Sequence, residues 1–256
     1  MPGNIIFNRY KRSILQLCNR RGRVVINELP GGRTLVLSPH YDDDVIGMGG
    51  TILMQLERGH RVKVIYLTDG REGIPRMDDR SEVERIRKAE SARALEILGV
   101  TETEHLSAPE TLLRPEPRIL DRLKQLLRDF APELIFLPWF FDNHVDHIET
   151  NRLLKRIIQS SAPETLILGY EVWTPLPPNL YLDISPYARA KREALLCFAS
   201  QLEQVDYMRT SLALSKRRAL EMGSSGYAEA FLCFSVSRYL EWIDRTGIDR
   251  LRFITC

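Results

Sequence analysis

No apolar run in the sequence approaches the roughly 18 residues of a membrane span, so no transmembrane segment is expected. Arg9, Lys11 and Arg12 near the start are not followed by a long apolar stretch, so a secretory signal is not expected either. Charge of either sign is not in surplus: 36 Lys and Arg face 34 Asp and Glu, a net charge of +2. That balance offers no basic field to neutralise phosphates and argues against a dedicated nucleic-acid binder. Cysteine is scarce. Cys18, Cys197, Cys233 and Cys256 lie far apart with no CxxC spacing, which points to reduced thiols and a cytoplasmic setting rather than a disulfide framework or zinc finger. Internal repeats and low-complexity tracts are also lacking. What is present is ordinary for a globular chain: 256 residues, 44% hydrophobic and 27% charged, enough for a substantial core.

Residues 1–21 are basic and mildly apolar, which suits a docking helix with its charges in water or a contact with an anionic surface or acidic partner. Residues 23–27 read as a short strand closed by a Pro-Gly-Gly turn. From there apolar runs at 34–38, 61–68 and 133–137 alternate with helical patterns at 47–58, 81–98, 118–130 and 148–160. Strands joined by helices are expected to run parallel through right-handed crossovers, so their following loops emerge at one sheet edge. Later strands are expected near 165–173 and 181–184, and helices near 187–201 and 208–222. This divides the chain into an N-terminal extension, 1–32, and a single α/β domain, 33–256, with helical and strand additions at its C-terminal end.

Two of the loops are chemically unusual. His40, Asp42, Asp43 and Asp44 follow the 34–38 strand, and His144, Asp146 and His147 follow the 133–137 strand. Ligands of open α/β sheets bind beyond the carboxyl ends of strands, and ionised carboxylates are costly to bury unless paired or bound to metal. A catalytic zinc takes three His or Asp/Glu ligands and leaves a position for water. Imidazole with carboxylate suits zinc or ferrous iron. His60 and His105, standing alone, read as hydrogen-bonded packing. Trp139, Phe140, Phe141 and Trp173 suit either core packing or a sugar-stacking wall.

Pro39-His40-Tyr41-Asp42-Asp43-Asp44 with Ile46-Gly47-Met48-Gly49-Gly50-Thr51 resembles the HPDDE-x2-G-x-GG-T signature of the PIG-L/LmbE-type metal-dependent N-acetylsugar deacetylases. The resemblance continues through Leu67-Thr68-Asp69-Gly70, Arg87 with Glu90, and His144-Val145-Asp146-His147 to later blocks containing Lys191, Gln201 and Glu229. It implies a Rossmann-like fold, a mostly parallel sheet with helices on both faces. It also implies hydrolysis of an N-acetyl group on a small-molecule amino-sugar conjugate, dependent on Zn2+ or Fe2+. By the same resemblance His40, Asp43 and His147 bind the metal and Asp42 is the general base. His144 steadies the oxyanion or protonates the leaving amine, and Asp146 orients a ligand histidine. Arg87 holds the sugar, the alternative being a helix-surface salt bridge with Glu90. Two departures stand out: Tyr41 replaces a usual Pro, and Asp44, second to the ligands, replaces a usual Glu. Rival readings are an amidase acting on a sugar thiol-conjugate with the same metal centre, and a non-catalytic Rossmann-like module binding a sugar or nucleotide.

Overall fold

The computed structural model describes residues 24–26, 28, 29, 32–158 and 165–247, so the reading of residues 1–21 lies outside the described residues. Among the described residues eight strands form one sheet in the order β1-β7-β8-β6-β5-β2-β3-β4. They are β1 (Val24–Ile26), β2 (Arg33–Ser38), β3 (Arg61–Thr68), β4 (Glu102–Ala108), β5 (Leu134–Pro138), β6 (Leu166–Tyr170), β7 (Leu180–Asp183) and β8 (Ala228–Ser235). All pairings are parallel except those of β8, which runs antiparallel to both β6 and β7. The helices are α1 (Asp43–Glu57), α2 (Arg80–Leu98), α3 (Pro117–Phe130), α4 (Val145–Ile157), α5 (Ala188–Leu195), α6 (Ala199–Leu202), α7 (Tyr207–Met222) and α8 (Val236–Thr246). No helix among the described residues is long and apolar enough to cross a membrane.

The apolar runs divide by period two between two cores, as alternating strand side chains must. Val36, Val64, Phe136 and Leu168 pack on the face that carries α1, α2 and α5. Leu35, Ile65, Ile135 and Ile167 pack on the face that carries α3, α4 and α8. Helices therefore cover both faces, the Rossmann-like arrangement that the family resemblance implies. β2 pairs with β3 on one side and β5 on the other, so the chain order reverses between β2 and β5. That reversal opens a crevice at the carboxyl ends of these two strands. Both chemically unusual loops leave the sheet there.

Four elements differ from the sequence expectation. α1 begins at Asp43, not at 47, and breaks at Met48 (φ −150°, ψ 24°). The break frees backbone groups, which distant residues satisfy. Glu229 of β8 accepts from Gly50 N (2.9 Å) and Thr51 N (2.8 Å), while Lys191 Nζ and Ser211 Oγ donate to Ile46 O. Buried Lys191 and Glu229 also pair at 2.8 Å. The helix expected over 187–201 is interrupted near Phe198 and resumes as α6, whose Ser200 N and Oγ are held by Glu90. β8 and α8 extend beyond any element read from the sequence. β8 is buried almost throughout, so it shows no alternation by which a strand could be recognised.

Candidate metal centre and active site

The carboxyl end of β2 delivers His40, Asp42 and Asp43, and the end of β5 delivers Asp142, His144, Asp146 and His147. Asp43 Oδ2 accepts from the backbone N–H of His40 at 2.9 Å, folding the loop back on itself. The same oxygen lies 3.0 Å from His40 Nδ1 and 3.2 Å from His147 Nε2, and those two nitrogens are 3.3 Å apart. Three donor atoms thus make a nearly equilateral triangle. Ligands about 2.0–2.2 Å from a tetrahedral zinc are separated by about 3.4 Å, so the triangle matches one face of such a site. His144 stands beside it, with one ligand atom of each of the three histidines within 4.8 Å of the others. Two imidazoles and one carboxylate are a donor set that fits zinc or ferrous iron.

Each histidine of the triangle is held from behind. Asp146 Oδ2 lies 3.2 Å from His40 Nε2 and also accepts from Thr111 N, while Oδ1 accepts from Leu113 N. Asp142 Oδ1 lies 3.0 Å from His147 Nδ1, close enough for an ion pair though not aligned as a hydrogen bond. Its Oδ2 accepts from Trp173 N and Thr174 N. Two carboxylates therefore fix both ring orientations and tie them to loops at 111–113 and 173–174. Burial alone would lower the histidine pKa values, but the carboxylates outweigh it. His40 is raised by Asp43 and Asp146, and His147 is pushed up to about 9 by Asp43 and Asp142. Asp43, despite burial, is held well below the usual range by His147 and His40.

Asp42 and Arg87 lie to one side. Arg87 is buried and does not pair with Glu90 on the helix surface, correcting the salt-bridge alternative. Its Nη1 donates to Glu110 Oε1 at 2.8 Å and its Nη2 lies 3.4 Å from Asp42 Oδ1. A Cβ on Gly73 would stand 2.3 Å from the guanidinium, so only glycine leaves it room. Tyr41 fills the space below, its ring 5.9 Å from the Arg87 guanidinium carbon and packed against Gly70, whose φ of +70° suits glycine. The ring of the Pro-to-Tyr departure is thus taken up by packing, while its hydroxyl is buried without a hydrogen-bond partner. Asp44 faces away from the triangle. It is fully buried, accepts from the Tyr66 hydroxyl at 3.2 Å, and burial pushes its carboxyl up to about 8. His144 Nδ1 accepts from Asp146 N, and burial with the neighbouring imidazoles lowers its pKa to about 4.

A cavity of about 190 Å3 opens over this cluster, lined at its polar end by Glu72, Arg87, Glu110, Gln201 and Gln204 and elsewhere by Ile46, Val172, Trp173 and Tyr207. Glu110, Gln204 and Tyr207 carry no motif in the sequence and reach the cavity only through the fold. Asp142 did carry a signal, as a carboxylate two residues before His144. Trp139 and Phe140 are core, whereas Trp173 is half exposed at the cavity. His105 stacks on Tyr66 and His60 bonds Gln55, both as packing groups.

Residues 35–158 match the family model described as PIG-L, GlcNAc-PI de-N-acetylase. A diacetylchitobiose deacetylase of Thermococcus kodakarensis is 27% identical over 67% of this chain and 71% of its own length. A 4-oxalmesaconate hydratase of Pseudomonas putida is 26% identical over 73% of this chain and 80% of its own. The solved N,N'-diacetylchitobiose deacetylase of Pyrococcus horikoshii superposes with a TM-score of 0.72 at 23% identity, covering 92% of each chain, which shows a common fold.

Proposed function

This chain carries a PIG-L-family domain at residues 35–158, and from that premise we propose that it is a metal-dependent hydrolase removing an N-acetyl group from a small-molecule amino-sugar conjugate. The observation that carries the reading is the triangle of His40 Nδ1, Asp43 Oδ2 and His147 Nε2, with edges of 3.0, 3.2 and 3.3 Å. In this reading those three residues hold zinc or ferrous iron. When bound, the ion supplies Lewis acidity and brings a water toward ionisation near neutral pH.

The chain's own residues do the rest. Asp42 is next in sequence to a ligand but outside the triangle, and burial raises its pKa against the pull of Arg87. It accepts the proton of the attacking water and returns it to the amine as the carbon–nitrogen bond breaks. His144 has Nδ1 occupied by the Asp146 N–H, so the neutral ring carries its proton on Nε2. With a pKa near 4 it stays neutral and donates a hydrogen bond to the developing oxyanion. Of the two roles the family resemblance implied for His144, this favours the oxyanion. Arg87, braced by Glu110, binds sugar hydroxyls, and Asp146 and Asp142 position His40 and His147. Asp44 supports the loop from beneath.

The Pseudomonas hydratase supports a second reading, in which Asp42 activates water for addition to a carbon–carbon double bond. Acetate release from N-acetylglucosamine conjugates, measured beside metal content in wild type, Asp43→Ala and His147→Ala, tests both. The deacetylase reading expects about one zinc or iron per chain, lost in both variants together with acetate release. Bound metal without acetate release, accompanied by hydration of an unsaturated tricarboxylate, would establish the hydratase instead.

A further inference from the structure

A second cavity, of about 300 Å3, lies against the catalytic one. Ile46, Val172, Trp173 and Tyr207 line both, so the two adjoin. The second runs between α7 and the sheet, past Val205, Leu214 and Ala230. Charged side chains also border it, but they are mutually occupied. Lys191 pairs with Glu229 and donates to Ile46 O, and Arg218 pairs with Glu171 and donates to Leu176 O. The hydroxyls are engaged too: Ser211 donates to Ile46 O, and Ser215 to Ser211 O. The walls therefore offer a ligand mainly apolar surface. At about 300 Å3 the space is twice the roughly 150 Å3 apolar cavity that admits a benzene.

We propose that this cavity receives the acyl chain of the substrate, and that the protein hydrolyses N-acyl amino sugars whose acyl group is longer than acetyl. The inference rests on the N-acetyl hydrolase reading above and extends the acyl group it accepts beyond acetyl. Its direction follows from the two ends of the catalytic cavity. Sugar hydroxyls need polar partners, and these stand at the Arg87, Glu110 and Gln201 end. The amide joins the sugar through nitrogen and the acyl chain through carbon, so with the amide at the metal triangle the chain points the opposite way. That way lead Ile46 and Val172, and beyond them the apolar cavity. Trp173 rests edge-on against Tyr207 (ring centroids 5.5 Å apart, planes at 73°), forming an aromatic wall at the junction.

The test compares N-acetyl, N-butanoyl, N-hexanoyl and N-octanoyl glucosamine as substrates of the metal-loaded enzyme, with calorimetric binding of the same four compounds to Asp42→Asn. Each buried methylene contributes about fourfold, so kcat/KM and affinity are expected to climb with chain length until the cavity is full. Leu214→Trp, and separately Val205→Trp at a more exposed position, are expected to lower the hexanoyl-to-acetyl ratio of kcat/KM at least tenfold. Two independent filling variants keep the test sound if one fails to fold. Hydrolysis of the acetyl compound with a flat or falling chain-length dependence would overturn the acyl cavity and leave the deacetylase reading standing. If no N-acyl sugar is hydrolysed, that reading fails, and octanoyl binding no tighter than acetyl then overturns the cavity as well. A length dependence for O-alkyl N-acetylglucosaminides, with none for N-acyl chains, would assign the cavity to the aglycone and overturn the proposal.

Discussion

Replacing Asp142 by Asn should weaken metal binding while leaving the three donor residues untouched. The carboxylate is 1% exposed and uses both oxygens. One lies 3.0 Å from His147 Nδ1, and the other accepts from Trp173 N at 3.0 Å and Thr174 N at 3.2 Å. Asn has a single acceptor oxygen. Kept toward the two loop N–H groups, it leaves its amide nitrogen facing Nδ1, and the imidazole must move its proton to Nε2, the atom of the donor triangle. Flipped, it leaves two backbone donors without an acceptor. Loss of a carboxylate behind a ligand histidine costs about 10- to 100-fold in metal affinity, or about 1.4–2.7 kcal/mol. The metal-free protein provides a second reading of the same contact. His147 has a folded pKa of about 9, above its ordinary 6.5, with Asp142 among the causes. Stability from that proton is fully present below pH 6.5 and is lost as the pH rises through about 9. Asp142→Asn should therefore destabilise the apo protein more near pH 6 than near pH 10. Competition with a chromogenic chelator measures the first effect, and urea unfolding at the two pH values the second. A metal affinity within twofold of wild type, or equal destabilisation at both pH values, would refute the role given to Asp142.

Asp44 makes a pH signature of the same sign over a lower range. Its carboxyl, pushed up from 3.8 to about 8 by burial, holds a proton in the folded state that the unfolded chain releases. Stability should fall as pH rises between those values, by at most about 1.4 kcal/mol per pH unit. Asp44→Asn mimics the neutral acid, so in thermal denaturation it should match wild type near pH 3 and exceed it by a margin that grows up to about pH 8. Parallel pH profiles for the two proteins would argue that Asp44 is ionised in the fold. Arg87→Ala leaves Asp42 and Glu110 buried without a cation and should cost about 3–5 kcal/mol. Arg87→Lys keeps the charge but not the fork. Its KM for an N-acetyl sugar should rise more than its kcat falls, and an unchanged KM would remove Arg87 from the sugar site.

The sequence exposed what is local and withheld what is assembled. The strands at β2, β3 and β5 were legible because a parallel strand buried on both faces is a short apolar run bounded by polar residues. Their parallel direction and the emergence of their loops at one sheet edge were legible because βαβ crossovers have one hand. On that basis the 40–44 and 144–147 loops could be brought to one sheet edge, while the ligand set His40, Asp43 and His147 came from the family resemblance. The reversal between β2 and β5 that joins the two strand ends is seen only in the fold. Glu110 could not be brought to that edge, because its place depends on how a loop after β4 folds back: its backbone N–H donates to Asp69, and its side chain accepts from Glu72 N and from Arg87. The helix-surface alternative for Arg87 has the same origin. Its neighbours Arg85 and Lys88 do form i,i+3 and i,i+4 surface pairs, and only Gly73 and Glu110, far along the chain, show that position 87 faces inward. The break in α1 makes the point most sharply. The residues that allow it, Lys191 and Glu229, lie well over a hundred residues downstream on α5 and an antiparallel strand. A helix period read from residues 43–57 carries no trace of partners so distant. Yet Ile46 at that break lines both cavities, so the feature least legible in the sequence is the one that joins the metal centre to the space beyond it.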